Sequence, residues 1–235
     1  LGAVSGNYTL TKRNGGALTL TGVNTYNGAT TVNQGKLTGV TGGSSASSAV
    51  TLQSAFSTNA TAKLCVLCST TNGSWTCSSL TLSSPLAPAT TNPALEFAFS
   101  VPPSATVAPL QVTGAATFTA SPSGVTVYLG SISVTNGVYP LMTVGSSATK
   151  PVPALTVFGG YSGSTLAWGG NTLYLTLNGN PSPLFWGTDA SGSGLWDVNN
   201  TTNLVWKDNT GAAASYQEQP AGLTGSRVIF DDSYI

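Results

Sequence analysis

The sequence predicts an all-β chain wound as a solenoid, and three observations predict it. Short runs alternate apolar and polar residues, as in Leu18-Thr19-Leu20 and in Thr30, Val32, Gln34 and Lys36 against Thr31, Asn33, Gly35 and Leu37. Corners of Gly and Asn separate the runs, here Gly22, Asn24, Asn27 and Gly28. A short strand, a corner and another strand is how a chain winds a β-solenoid. The third observation is compositional: Val, Leu, Thr, Tyr and Trp favour strands, no stretch shows a helical period, and Met occurs once.

The elements follow in order. Asn7 to Thr11 and residues 18–38 read as strands with corners, and the Gly/Ser-rich stretch Val40 to Ala49 reads as a loop. Val50-Thr51-Leu52 resumes a strand. Residues 58–80 carry the three cysteines, and 83–109 carry Pro85, Pro88, Pro93, Pro102, Pro103 and Pro109. Proline removes a ladder donor, so this part supplies no long central strand. The expectation is an irregular Cys/Pro-rich insertion around 58–109, holding only the short strand Ala94 to Phe99. From 110 onward, alternating strands are expected at 110–113, 116–119, 125–129, 132–135, 139–144, 155–158 and 173–177. They are read as parallel rungs, although hairpins of a sandwich give similar spacing. The expected domains are a β-helix over 1–180 and a Trp-rich acidic segment over 181–235.

Composition excludes several functions. Histidine is absent, which removes the commonest general base and metal ligand. Ser-His-Asp and Cys-His catalysis are therefore excluded, and no enzyme activity, cofactor or metal is expected. Charged residues are only 6%, against roughly 25% in a typical domain. Residues 1–187 hold Lys12, Arg13, Lys36, Lys63 and Lys150 against Glu96, five minus one, or +4. Residues 188–235 hold Asp189, Asp197, Asp208, Glu218, Asp231 and Asp232 against Lys207 and Arg227, two minus six, or −4. No basic cluster points to nucleic acid, and no apolar run is long enough for a membrane-spanning helix. The chain opens at Leu1 without Met, as expected where a leader has been removed.

The segment 18–38 closely resembles the autotransporter-associated, or passenger-associated transport, repeat of form L-T-L-T-G-x-N-T-Y-x-G-x-T-T-V-x-x-G-x-L. The resemblance implies rungs of a right-handed parallel β-helix in a bacterial surface protein, hence an extracellular location. The run Val134 to Thr143 resembles a V-x-x-G-x-Y-x-L segment that closes the solenoid in such proteins. Trp186-Gly-Thr, Gly194-Leu-Trp196-Asp197, Asn203-Leu-Val-Trp206 and Val228-Ile-Phe230-Asp231-Asp232 resemble a segment that usually precedes a repeat array. Here it follows one.

That order suggests assembly. The tail of one copy would occupy its usual place ahead of the repeat on the next copy, a head-to-tail contact that builds filaments. Arg227 to Asp231 is the expected donor strand, with Val228 and Phe230 on one side and Ile229 on the other. The expected interface comprises Leu18, Leu20, Val228, Phe230, Asp231 and Asp232. The partners expected are copies of this chain in a structural filament or sheath. The alternative is a carbohydrate-binding or adhesive passenger module, with surface glycans as partner. A degraded polysaccharide lyase is a third reading, weakened by acids crowded in the tail.

The remaining clusters have plainer readings. Cys65, Cys68 and Cys77 favour a disulfide, Cys65 or Cys68 with Cys77, over a metal or redox site. Asp189, Asp231 and Asp232 lack a calcium-loop pattern and read as structural or solvated acids. Trp168, Trp186, Trp196 and Trp206, with Tyr161, Tyr174 and Tyr216, suit either a sugar platform or a packed cap. N-x-S/T sequences begin at Asn7, Asn59, Asn72, Asn199 and Asn200.

Overall fold

The computed structural model describes residues 2–119, 124–129, 132, 134–158, 161, 163–179, 184–186, 206–207, 213–214 and 228–229. All regular structure among them is strand. The strands come in pairs along the chain: β1 (Leu10–Lys12) and β2 (Ala17–Leu20), then β3 (Thr30–Val32) and β4 (Gly35–Val40). Next come β5 (Ser44–Leu52) with β6 (Ala62–Cys68), and β7 (Trp75–Leu82) with β8 (Ala94–Phe99). The last pairs are β9 (Leu110–Phe118) with β10 (Val125–Tyr128), and β11 (Gly137–Ser146) with β12 (Leu155–Phe158). A hairpin follows, β13 (Thr165–Gly169) and β14 (Thr172–Leu177).

From β1 to β10 each strand pairs in parallel with the strand two places on, so odd and even members build separate sheets. One sheet runs β1-β3-β5-β7-β9-β11-β14-β13 and the other β12-β10-β8-β6-β4-β2. This connectivity is consistent with a β-solenoid. Register shifts at Ser45/Ala49, Cys77/Leu80 and Val144/Ser146 divide the long odd strands in two. Such irregularities bend a strand, so a full rung presents three short strand segments.

Inward side chains stack in columns down the rungs. Leu18, Leu37, Leu64, Leu95, Val125 and Leu155 form one ladder. Leu20, Gly39, Val66, Phe97, Val127 and Val157 form the next. On the odd sheet, Val32, Leu52, Leu82 and Phe118 are in register. The gap left by Gly39 is filled by the indole of Trp75, where a Cβ on the glycine would overlap the ring. Trp75 is fully buried. Close packing of such columns supplies the main stabilisation of a parallel stack.

Several expectations need correction. Residues 58–109 are no insertion: β6 pairs with β4 and β8, and β7 with β5 and β9. The prolines fall between strands, so they cost no ladder bonds. Ser44–Ala49 is strand rather than loop, its Ser45 and Ser48 buried at a bend. The expected continuous strand from Thr30 is broken at Asn33-Gln34, and Gly35 turns it at φ 73°. Ile132 and Val134 lie outside strands. The stack does not end in parallel rungs, because β14 pairs antiparallel with both β11 and β13. A turn at Gly170, φ 56°, makes that hairpin possible.

In the C-terminal part, β15 (Leu184–Trp186), β16 (Trp206–Lys207), β17 (Ala213–Ala214) and β18 (Val228–Ile229) form a separate sheet of order β17-β16-β15-β18.

Candidate functional site

The repeat decodes residue by residue into contacts that lock the first rungs together. Leu20 and Leu37 are inward and buried, whereas Leu18 is half-buried on β2, the outermost strand of its sheet. At Gly22 a Cβ would stand 2.8 Å from the backbone nitrogen of Ala3, and at Gly28 it would collide with the Tyr8 carbonyl. Those glycines let the first residues of the chain lie directly on the corner.

Asn24 ties three levels. Its Oδ1 accepts from the Val4 N–H at 2.9 Å, and its Nδ2 donates to the carbonyls of Gly22 at 3.0 Å and Ser44 at 2.7 Å. Tyr26, Thr30 and Ser48 form a buried hydroxyl chain with contacts of 2.6 and 2.8 Å. Ser48 Oγ donates to the Gly28 carbonyl at 2.8 Å. Each hydroxyl has one proton, so the direction runs Tyr26 to Thr30 to Ser48 to that carbonyl. The small Ser45 and Ser48 leave room for the Tyr26 phenol, which also reaches Ser45 Oγ at 3.3 Å.

Lys12 heads an otherwise apolar column, paired with Val32. Its ammonium donates to the carbonyls of Arg13 and Asn14 at 2.6 Å and Gln34 at 3.1 Å. Desolvation lowers its pKa. A second charged cluster lies on the outer side of the even sheet. Glu96, 2% exposed, pairs with Lys63 at 2.9 Å and with Lys36. Sequence reading missed it; its one signal was that Glu96 is the sole acid in residues 1–187.

The cysteines do not meet the expectation of a bridge. All three are free and buried. A strand alternates sides, so the three-residue spacing puts Cys65 outward beside Glu96 and Cys68 inward in the core. Cys77 lies on the other sheet, in the column of Ser45 and Val112. Burial pushes the thiols of Cys65 and Cys77 up to about 12 and Cys68 well upward, which leaves them inert rather than redox-active.

The aromatic candidates divide. Tyr161 is buried, donating to the Val134 carbonyl at 2.6 Å and accepting from its N–H at 2.8 Å. Trp168 is half-buried, donates to the Pro151 carbonyl at 3.0 Å and meets Phe118 edge-on. These two pack internally rather than forming a sugar platform. Tyr174 pairs with Ala167 across the hairpin. Trp186 and Trp206 are paired to each other in β15 and β16; Trp196 and Tyr216 lie outside the described residues. Of the expected interface, Val228 pairs with Leu184 inside the C-terminal sheet, while Phe230, Asp231, Asp232 and Asp189 lie outside the described residues. Asn7, Asn59 and Asn72 are exposed.

Parallel ladders, locked at the first corner by a glycine, asparagine and tyrosine clamp, define a stacked-repeat β protein. Residues 10–38 match the sequence family described as the passenger-associated-transport-repeat, and the chain carries one such repeat there. That repeat implies a secreted or cell-surface passenger. Neither the curated proteins nor the solved structures yielded a match.

Proposed function

We propose that the chain is a structural module of a secreted or cell-surface bacterial protein: a right-handed parallel β-helix that assembles head to tail by strand addition. One observation carries this reading. The strands β1 and β2, which hold the start of the repeat, are the terminal strands of the two parallel ladders at the same end. Among the described residues β1 has a strand partner on one side only, so its other row of backbone groups can pair with an added strand.

The opposite end differs, since the antiparallel hairpin covers the odd sheet. A contact between unlike ends is heterologous and extends into filaments. Half-buried Leu18 supplies an apolar anchor, and residues 227–231 are the donor. The terminal position of β18 in its own sheet and the +4 to −4 asymmetry support that choice. So does the low overall charge, because few ions need desolvation at each contact.

Negative-stain microscopy tests this on the full chain and on a chain lacking 226–235. Filaments are expected from the first and single particles from the second. Polymers that survive the deletion, or an intact chain that stays single when concentrated, would overturn it.

A further inference from the structure

Thr11, Thr31, Thr51, Thr81 and Thr117 stand in one unbroken register across β1, β3, β5, β7 and β9. They lie on the outer side, because their chain neighbours Val32, Val50, Leu52, Leu80, Leu82 and Ala116 are buried. Two residues earlier, on the same side, come Thr9, Ala29, Ala49, Ser79 and Ala115. Each rung therefore presents Thr, Ala or Ser, then Thr. The two columns contain no charge and no aromatic ring. None of the five threonine hydroxyls makes a side-chain hydrogen bond among the described residues.

The other outer surfaces lack this regularity. The even sheet shows Thr19, Thr38, Cys65, Glu96, Thr126 and Thr156, flanked by Lys36 and Lys63. The early half of the odd sheet shows Ser44, Thr76, Gln111 and Thr143, and Thr143 bonds Thr172 at 3.2 Å. Strand preference alone favours threonine on all three surfaces equally. The uniform column with unused hydroxyls is confined to one.

We infer that this face is an ice-binding surface. Neighbouring strands place the threonines about 4.8 Å apart, and same-side residues along a strand lie about 6.7 Å apart. A rigid lattice of methyl and hydroxyl groups at those repeats resembles the oxygen spacing on a prism face of hexagonal ice. The methyls exclude disordered water, and each free hydroxyl anchors one lattice position. Size separates this occupant from a protein: the array covers on the order of 200–300 Å² by those strand spacings, against about 800 Å² per partner in a stable interface. The absence of aromatic rings separates it from a sugar polymer, which would stack on them. The face lies on the side of the stack, so the inference stands apart from end-to-end assembly.

Crystal habit and thermal hysteresis of the purified chain test it, with sedimentation velocity and a crystalline-cellulose pull-down alongside. The intact chain should facet ice crystals and separate their growth and melting temperatures. Thr51→Tyr and Thr81→Tyr should abolish both effects, and Thr156→Tyr, on the exposed outer side of β12, should leave them unchanged. Thr117→Lys, at the exposed end of the array, gives the same expected loss should the tyrosine variants fail to fold. Unfaceted discs from the intact chain overturn the inference, as does hysteresis unchanged in the Thr51, Thr81 and Thr117 variants. A dimer dissolved by Thr51→Tyr, or cellulose retention lost with it, would reassign the face and overturn it equally.

Discussion

The indole of Trp75 occupies the space where a side chain on Gly39 would stand, so a ring on the odd sheet completes a column on the even one. Gly39→Ala should therefore overpack the core and destabilise by about 1–3 kcal/mol. Trp75→Leu alone should destabilise by leaving a cavity. The double variant should lose less than the two single losses added, because each change relieves the other. Urea unfolding of the four proteins measures this; additive losses would refute the pairing.

Asn24 is both donor and acceptor in its clamp, so its isosteres should not rescue it. Asn24→Ala leaves the Val4 N–H and two carbonyls without their partner, with an expected cost of about 1–3 kcal/mol. Asn24→Asp should be at least as damaging at neutral pH, since a carboxylate can serve Val4 but only faces the carbonyls of Gly22 and Ser44. Faster amide exchange at Val4 should accompany both variants. Exchange unchanged from the parent would count against the clamp.

The ion cluster is asymmetric, because Glu96 is buried while Lys36 and Lys63 keep part of their surface in water. Glu96→Gln should cost little, since both lysines can turn to solvent. Replacing both lysines by Met should cost about 3–5 kcal/mol, because a buried carboxylate is left unpaired. Adding Glu96→Gln to that pair should restore stability. Denaturant midpoints decide the order.

The thiols supply a pH dependence. In the folded chain Cys65 and Cys77 sit at about 12, against 9.0 for an unperturbed thiol. The unfolded chain releases those protons first, so their contribution is complete below about pH 9 and is lost as pH rises toward 12. Unfolding by urea should become easier across that window, and Cys77→Ala should flatten the fall. At pH 8 a thiol reagent should label none of the three cysteines in the native protein and all three in urea. A reductant should leave the melting temperature unchanged.

How far the fold was legible depended on how each element announces itself. β2, β10, β12 and β14 alternate cleanly and were readable. β6 and β7 were not, because Cys65, Ser78 and Asn72 belong to a stretch with the composition of a loop. Ser44–Ala49 lacks alternation altogether; what makes it a strand is its pairing with Thr76, Cys77 and Ser79 of β7, while Ser45 and Ser48 meet the hydroxyls of Tyr26 and Thr30. Of the site, the repeat itself was legible. Lys36, Lys63 and Glu96 lie 27 and 33 residues apart, and only the register brings them together. β13 depends on a partner, β14, whose direction no local pattern states.

Rung length is the free variable of this architecture. The partners Leu10, Thr30, Val50, Leu80 and Ala116 lie 20, 20, 30 and 36 residues apart, yet they share one column. The growth is taken up almost wholly outside the strands, at the corners around 53–61, 69–74, 83–93 and 100–109. Those corners are ports: peptide cargo added there would be carried at strand-spacing intervals along a scaffold whose interior does not register its presence.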